Sequence, residues 1–146
     1  MSMQISDASK NIADQLHSAA IHLLRKLRRE DVASGLSGPR LSALSVVVFA
    51  GPVTLGDLAA AEQVRPPTMT RTVDALVEQK LVVRKPSPDD RRSTLIHATA
   101  TAKKLLMQGR ERRVRALAAQ IAALKPEDRA SLENAAEILK RVIAAI

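Results

Sequence analysis

Residues 66–99 read PPTMTRTVDALVEQKLVVRKPSPDDRRSTLIHAT, and the periodicity changes midway through this stretch. Up to Lys80, the apolar residues Met69, Val73, Leu76 and Val77 fall on one side of a helical wheel, while Pro67, Thr68, Arg71 and Ala75 fall on the other. Pro66 and Pro67 suit a first helical turn, where a missing N–H breaks no bond and φ is already close to helical. After Lys80 the segments LVVRK and STLIHAT are short and rich in β-branched residues, which predicts two strands joined by a connection over Pro86 to Arg92. The stretch is therefore expected to fold as a helix with an apolar core face and a small, hydroxylated, cationic outer face, followed at once by a β-hairpin.

The residues just upstream give that helix a partner. Thr54 is placed to cap a short helix, LGDLAAAEQ, with Asp57 in its first turn. A short helix, a tight turn and a second helix with a polar outer face make a helix-turn-helix, whose second helix offers its N-terminal residues to the major groove. A hairpin after it is a wing. The candidate groove contacts are Arg65, Pro67, Thr68, Thr70 and Arg71; Thr70 lies nearer the core side, close enough to the helix start for its hydroxyl to reach a phosphate. In the wing connection, Pro86 and Pro88 restrict the backbone, and Arg91 and Arg92 are candidates for phosphates and a narrow minor groove. Asp90 is expected to hold a neighbouring guanidinium in a fixed fork and so aim it.

Elsewhere the chain is helical. Ile12, Leu16, Ala20, Leu23, Leu24 and Leu27 recur at helical spacing from Ile5 to about Val32, with Ser6 or Asp7 as cap, and SGLSGP at 34–39 ends the helix. A second helix is expected over about Arg40 to Ala50, although its run VVVF also suits a strand, and AGP at 50–52 closes it. Thr101 is placed to cap a long helix reaching about Leu124. Pro126 opens a last one with Leu132, Ala136, Leu139, Val142, Ile143 and Ile146 on its apolar side.

Charge points to the same segment as the motif. The formal net charge is +8, and residues 65–115 hold 13 basic against 5 acidic side chains, so the whole excess lies there; the flanks are balanced. Concentrated charge of this kind is the footprint of a polyanion-binding region. Phe49 is the only aromatic residue, which leaves almost nothing on which exposed bases could stack and favours duplex DNA over single strands. The absence of Cys removes disulfides, thiol nucleophiles and thiolate metal sites. No apolar run approaches the roughly 18 residues of a membrane span, and the N-terminus carries no secretion signal, so a soluble cytoplasmic protein without a membrane partner is expected.

In this order of elements the chain resembles the MarR family of bacterial winged helix-turn-helix regulators over nearly its whole length. The resemblance is carried by PPTMTRTVDALVEQKLVVRK, similar to the family's recognition helix running into its wing, and by SPDDRRSTLIHAT, similar to its Asp-x-Arg wing tip and second wing strand. Asp90 and Arg92 then occupy the positions of the wing aspartate and of the minor-groove arginine. The resemblance implies a mainly α fold with a small β-hairpin wing and a single MarR-like domain over 1–146. Dimerisation helices would lie at about 1–35 and 116–146, the winged helix-turn-helix at about 36–100 and the start of the connecting long helix at 101–115. It implies a homodimer with interlocked terminal helices, two wings on a pseudo-palindromic operator, and repression relieved by a small-molecule effector. The broad apolar stripes within 12–27 and 132–146 point independently to dimerisation. With no Tyr, Trp or Cys, such an effector would be held by aliphatic groups and a few polar ones. His17 is the candidate among these, its alternative being a partly buried packing residue.

Two other classes compete. An enzyme is not expected: His17 and His22 are five residues apart, about 140° around a helix and so unsuited to sharing a metal. His97 lacks a partner in sequence, and neither a nucleophile elbow nor a phosphate loop occurs. No cofactor is expected. A sequence-neutral architectural DNA-binding protein remains the alternative, though such proteins insert apolar wedges and the wing tip offers none.

Overall fold

A computed structural model describes residues 5–146. The elements are α1 (Asp7–Leu27), a 3-10 segment (Arg28–Ser34), α2 (Gly38–Ala50), β1 (Val53–Thr54), α3 (Leu55–Ala61), α4 (Pro66–Glu78), β2 (Val82–Pro86), β3 (Thr94–Ala98), α5 (Ala100–Ala122) and α6 (Pro126–Ala145). The chain forms two compact units, one spanning Arg28–Glu111 and the other made of the segments up to Leu27 and from Arg112 to Ile146.

The Arg28–Glu111 unit has an aliphatic core. Ala43, Leu44 and Val47 of α2, Leu58 and Ala59 of α3, Met69, Val73 and Leu76 of α4, Leu81 and Val82 at the wing root, Ile96 of β3, and Ala102 and Leu106 of α5 are buried together. The VVVF run is helical: Val47 is buried against the other helices, so tertiary packing overrides the strand preference of β-branched residues. The sheet is antiparallel with the order β1-β3-β2, and is thus three-stranded where the sequence predicts a hairpin. Its register pairs Val53 with Ile96, Arg84 with Ile96 and Lys85 with Leu95.

The turns that aim α4 are built from backbone hydrogen bonds. Thr54 caps α3, its hydroxyl accepting the Asp57 N–H at 3.1 Å. At the end of α3, Val64 N–H donates to Ala59 O (3.0 Å) and Gln63 N–H to Ala60 O (3.1 Å). At the end of α4, Leu81 N–H donates to Leu76 O and Lys80 N–H to Val77 O, both at 2.9 Å. Both are Schellman closures, which need a left-handed residue just past the helix and usually place glycine there. Here Gln63 (φ +54°) and Lys80 (φ +58°) fill the two positions.

The cap of α5 is Thr99, not Thr101. The Thr99 hydroxyl accepts the Ala102 N–H at 3.2 Å and lies 2.9 Å from Lys80 O and 3.1 Å from Leu81 O, the two carbonyls available to its proton. Its backbone N–H also donates to Leu81 O at 3.0 Å. One residue thereby ties together the end of α4, the root of the wing and the start of α5.

In the other unit, the predicted first helix stops at Leu27 rather than running to about Val32, and Ser6 caps it by accepting the Ser9 N–H at 3.2 Å. Arg129, in α6, donates to Ala122 O and Leu124 O at 3.2 Å each, closing carbonyls left open at the end of α5. Neither α1 nor α6 has a buried residue. Ile12, Leu24 and Ile143 are 60%, 60% and 68% exposed, which leaves long apolar stripes uncovered in a single chain.

Candidate nucleic-acid interface

The core face of α4 is Met69, Val73 and Leu76, as the spacing requires. Its first turn therefore faces outward: Arg65 is the N-cap residue, and Arg65, Pro67, Thr68 and Arg71 are all exposed. A helix start commonly grips anions through open N–H groups, but this one has few to give. Pro66 and Pro67 have no N–H, and that of Thr68 donates to Arg65 O at 3.0 Å. What this helix start offers an anion is side chains, the guanidinium groups of Arg65 and Arg71 and the hydroxyl of Thr68.

Thr70 is half-buried and donates its one hydroxyl proton to Pro66 O at 3.0 Å. A phosphate oxygen only accepts, so Thr70 reaches one only by giving up that bond. Thr72 is committed in the same way, to Thr68 O at 3.2 Å.

The wing tip is a closed loop. Ser87 N–H donates to Ser93 O at 2.8 Å, and Ser93 N–H to Asp90 O at 2.9 Å. The Asp90 carboxylate receives the Arg92 backbone N–H at 2.9 Å. This corrects the expected carboxylate–guanidinium fork: Asp90 orders the turn through the backbone of Arg92, the local bond that Asp characteristically makes two residues on. The guanidinium groups of Arg91 and Arg92 are left exposed at the tip.

One contact escapes the sequence reading. Arg84 Nη2 of β2 lies 2.6 Å from Asp74 Oδ1 of α4, an ion pair joining the helix to the first wing strand. Strand alternation held the signal: Arg84 is two residues from the buried Val82 and so projects from the same face of the wing, with its side chain still partly exposed. Seven of the candidate residues, Arg65, Pro67, Thr68, Arg71, Asp90, Arg91 and Arg92, are exposed within the Arg28–Glu111 unit, alongside half-buried Thr70. His17 lies on α1 in the other unit and is exposed there.

A short helix, a turn, a helix with an outward basic first turn, and a hairpin with an arginine tip define a winged helix-turn-helix protein of the DNA-binding kind. The family model described as MarR family matches residues 34–93. An HTH-type transcriptional regulator of Mycobacterium bovis is 34% identical over 137 residues, covering 94% of this chain and 96% of its own. The chain belongs to the MarR family of transcriptional regulators. Among solved structures, a transcriptional regulator of Thermotoga maritima has the same fold, with a TM-score of 0.84 and 21% identity over 93% of this chain and 96% of its own. So does a mutant of MepR from S. aureus, at 0.71 and 17% over 90% and 97%.

Proposed function

We propose that this regulator is a homodimeric, sequence-specific repressor of duplex DNA, resident in the cytoplasm and released from its operator by a small-molecule effector. The observation that carries the proposal is the exposed basic residues at the start of α4 and at the wing tip, set in the segment that holds the whole charge excess. Arg71 reads base edges in the major groove, guanine being the natural partner of a guanidinium. Arg65 and Thr68 fix the helix on phosphates, with Pro67 setting its start and Thr70 contributing from its inner edge. Arg91 and Arg92 enter the minor groove or hold its phosphates, on a loop that Asp90 keeps in shape. The MepR mutant among the structural neighbours is bound to an oligodeoxyribonucleotide, which supports the same use of the fold here.

Dimerisation covers the apolar stripes of α1 and α6, which one chain leaves in water. His17 precedes Ile21 and Leu24 by about one and two helical turns on one side of α1 and is the polar group offered to an effector among aliphatic neighbours. No single helix among the described residues is long and apolar enough to cross a membrane. The test is a selection of sheared genomic DNA on the purified protein at near-physiological salt. Recovery of a pseudo-palindrome with half-sites about 10 base pairs apart supports the proposal; featureless recovery replaces it with sequence-neutral binding.

A further inference from the structure

Arg71 and Asp74 are three residues apart on α4, a spacing that brings side chains of opposite charge into reach on a helix surface. Left to themselves they would pair, and the guanidinium most needed by DNA would be occupied by its own helix. Among the described residues no hydrogen bond or ion pair joins them. The Asp74 carboxylate is taken instead by Arg84, at 2.6 Å from the first wing strand.

That placement follows from the fold. Arg84 pairs in register with Ile96, which is 1% exposed, and shares the inner face of β2 with Val82, which is fully buried. Its aliphatic stem therefore runs along the packed side of the wing, and its head emerges at the α4 surface, with a third of the side chain still exposed. The bond is a charge-assisted one at short distance, and it is this pairing, not one along the helix, that the structure forms. An uncompensated carboxylate on the outer side of α4 would also repel phosphates.

We infer that Arg84 is a positioning residue of the DNA-reading surface, which sequesters the Asp74 carboxylate and so leaves Arg71 available for bases. The inference rests on the proposed use of α4 as the base-reading helix. Arg84 acts through Asp74 and Arg71 and need not touch DNA itself.

The experiment measures affinity for a duplex carrying the site recovered by genomic selection and for a scrambled duplex of equal length. The proteins are the full chain and its Arg84→Gln, Asp74→Asn, Asp74→Asn/Arg84→Gln and Arg71→Ala variants, each with its fold checked by far-UV circular dichroism. Arg84→Gln is expected to bind the site about fivefold more weakly, roughly twofold at each of the two half-sites of the dimer, because freed Asp74 captures Arg71. Asp74→Asn alone is expected to bind at least as tightly as the wild type, and the double variant to return to within about twofold of it. A bracing role for the ion pair predicts the opposite: Asp74→Asn as weak as Arg84→Gln, and no rescue in the double variant. Either of those results, or an Arg84→Gln protein that binds as wild type, overturns the inference while Arg71→Ala still weakens site binding. If Arg71→Ala has no effect, the base-reading role of α4 falls and the inference falls with it.

Discussion

Replacing Gln63 by glycine is expected to stabilise the protein, although it removes a side chain. Gln63 sits in the turn between α3 and α4 with φ at +54°, and its side chain is exposed. The left-handed conformation crowds a Cβ against the following carbonyl at a cost of about 1–2 kcal/mol. Glycine escapes that cost but gives up about 0.4–1 kcal/mol through the greater freedom of its unfolded chain. The difference leaves a gain of about 0.5–1 kcal/mol, or about 2 °C in Tm. Valine at the same position should lose at least about 1 kcal/mol, because a β-branched residue fits the left-handed region worst, and asparagine should fall between glycine and glutamine. Urea denaturation followed by far-UV circular dichroism, at one fixed protein concentration so that self-association contributes equally, gives the order directly. A glycine variant no more stable than the parent, or a valine variant equal to it, refutes the reasoning. Lys80→Gly tests the same geometry with a smaller gain, since a cation at the end of α4 is favourable and is lost.

Four other outcomes are expected. Thr99→Val removes the cap of α5 together with the one hydroxyl proton shared between Lys80 O and Leu81 O, and should lower stability by about 1–2 kcal/mol in the same denaturation assay. Gly51→Ala places a Cβ against the Val47 carbonyl oxygen, and a loss of about 1–3 kcal/mol should follow, visible as a lower urea midpoint. Arg92→Ala should weaken DNA binding and reduce the slope of log affinity against log salt by about two, one for each wing of the dimer, with the helical signal unchanged. Ile143→Glu places a charge on the exposed stripe of α6 and should turn a dimer into a monomer by light scattering at micromolar concentration.

The winged segment was legible because its signals are local. Two prolines mark the start of α4, three buried residues at helical spacing mark its inner face, and Thr54 caps α3 as a threonine at that point should. What escaped depends on residues distant in sequence. β1 is only two residues long, too short for any periodicity, and exists because Val53 and Thr54 meet Ile96 and Leu95 some forty positions on. Thr99 and Thr101 look alike as helix caps; the choice is made by the carbonyls of Lys80 and Leu81, which only the folded wing root brings within reach of Thr99. The bond that Asp90 makes is hidden for the opposite reason. Two arginines beside it suggest a salt bridge, yet its carboxylate takes the backbone N–H two residues on, which the turn itself fixes.

The core of the winged unit is built without a single ring. All its buried side chains are aliphatic or thioether, and Phe49, the sole aromatic of the chain, is 72% exposed at the end of α2. The protein is in consequence almost transparent at 280 nm and silent in tryptophan fluorescence. One tryptophan placed at position 49 would be the only emitter in the molecule, outside the packed interior. Any operator fragment or small molecule that altered the surroundings of α2 could then be followed through that single chromophore, with no intrinsic background to subtract.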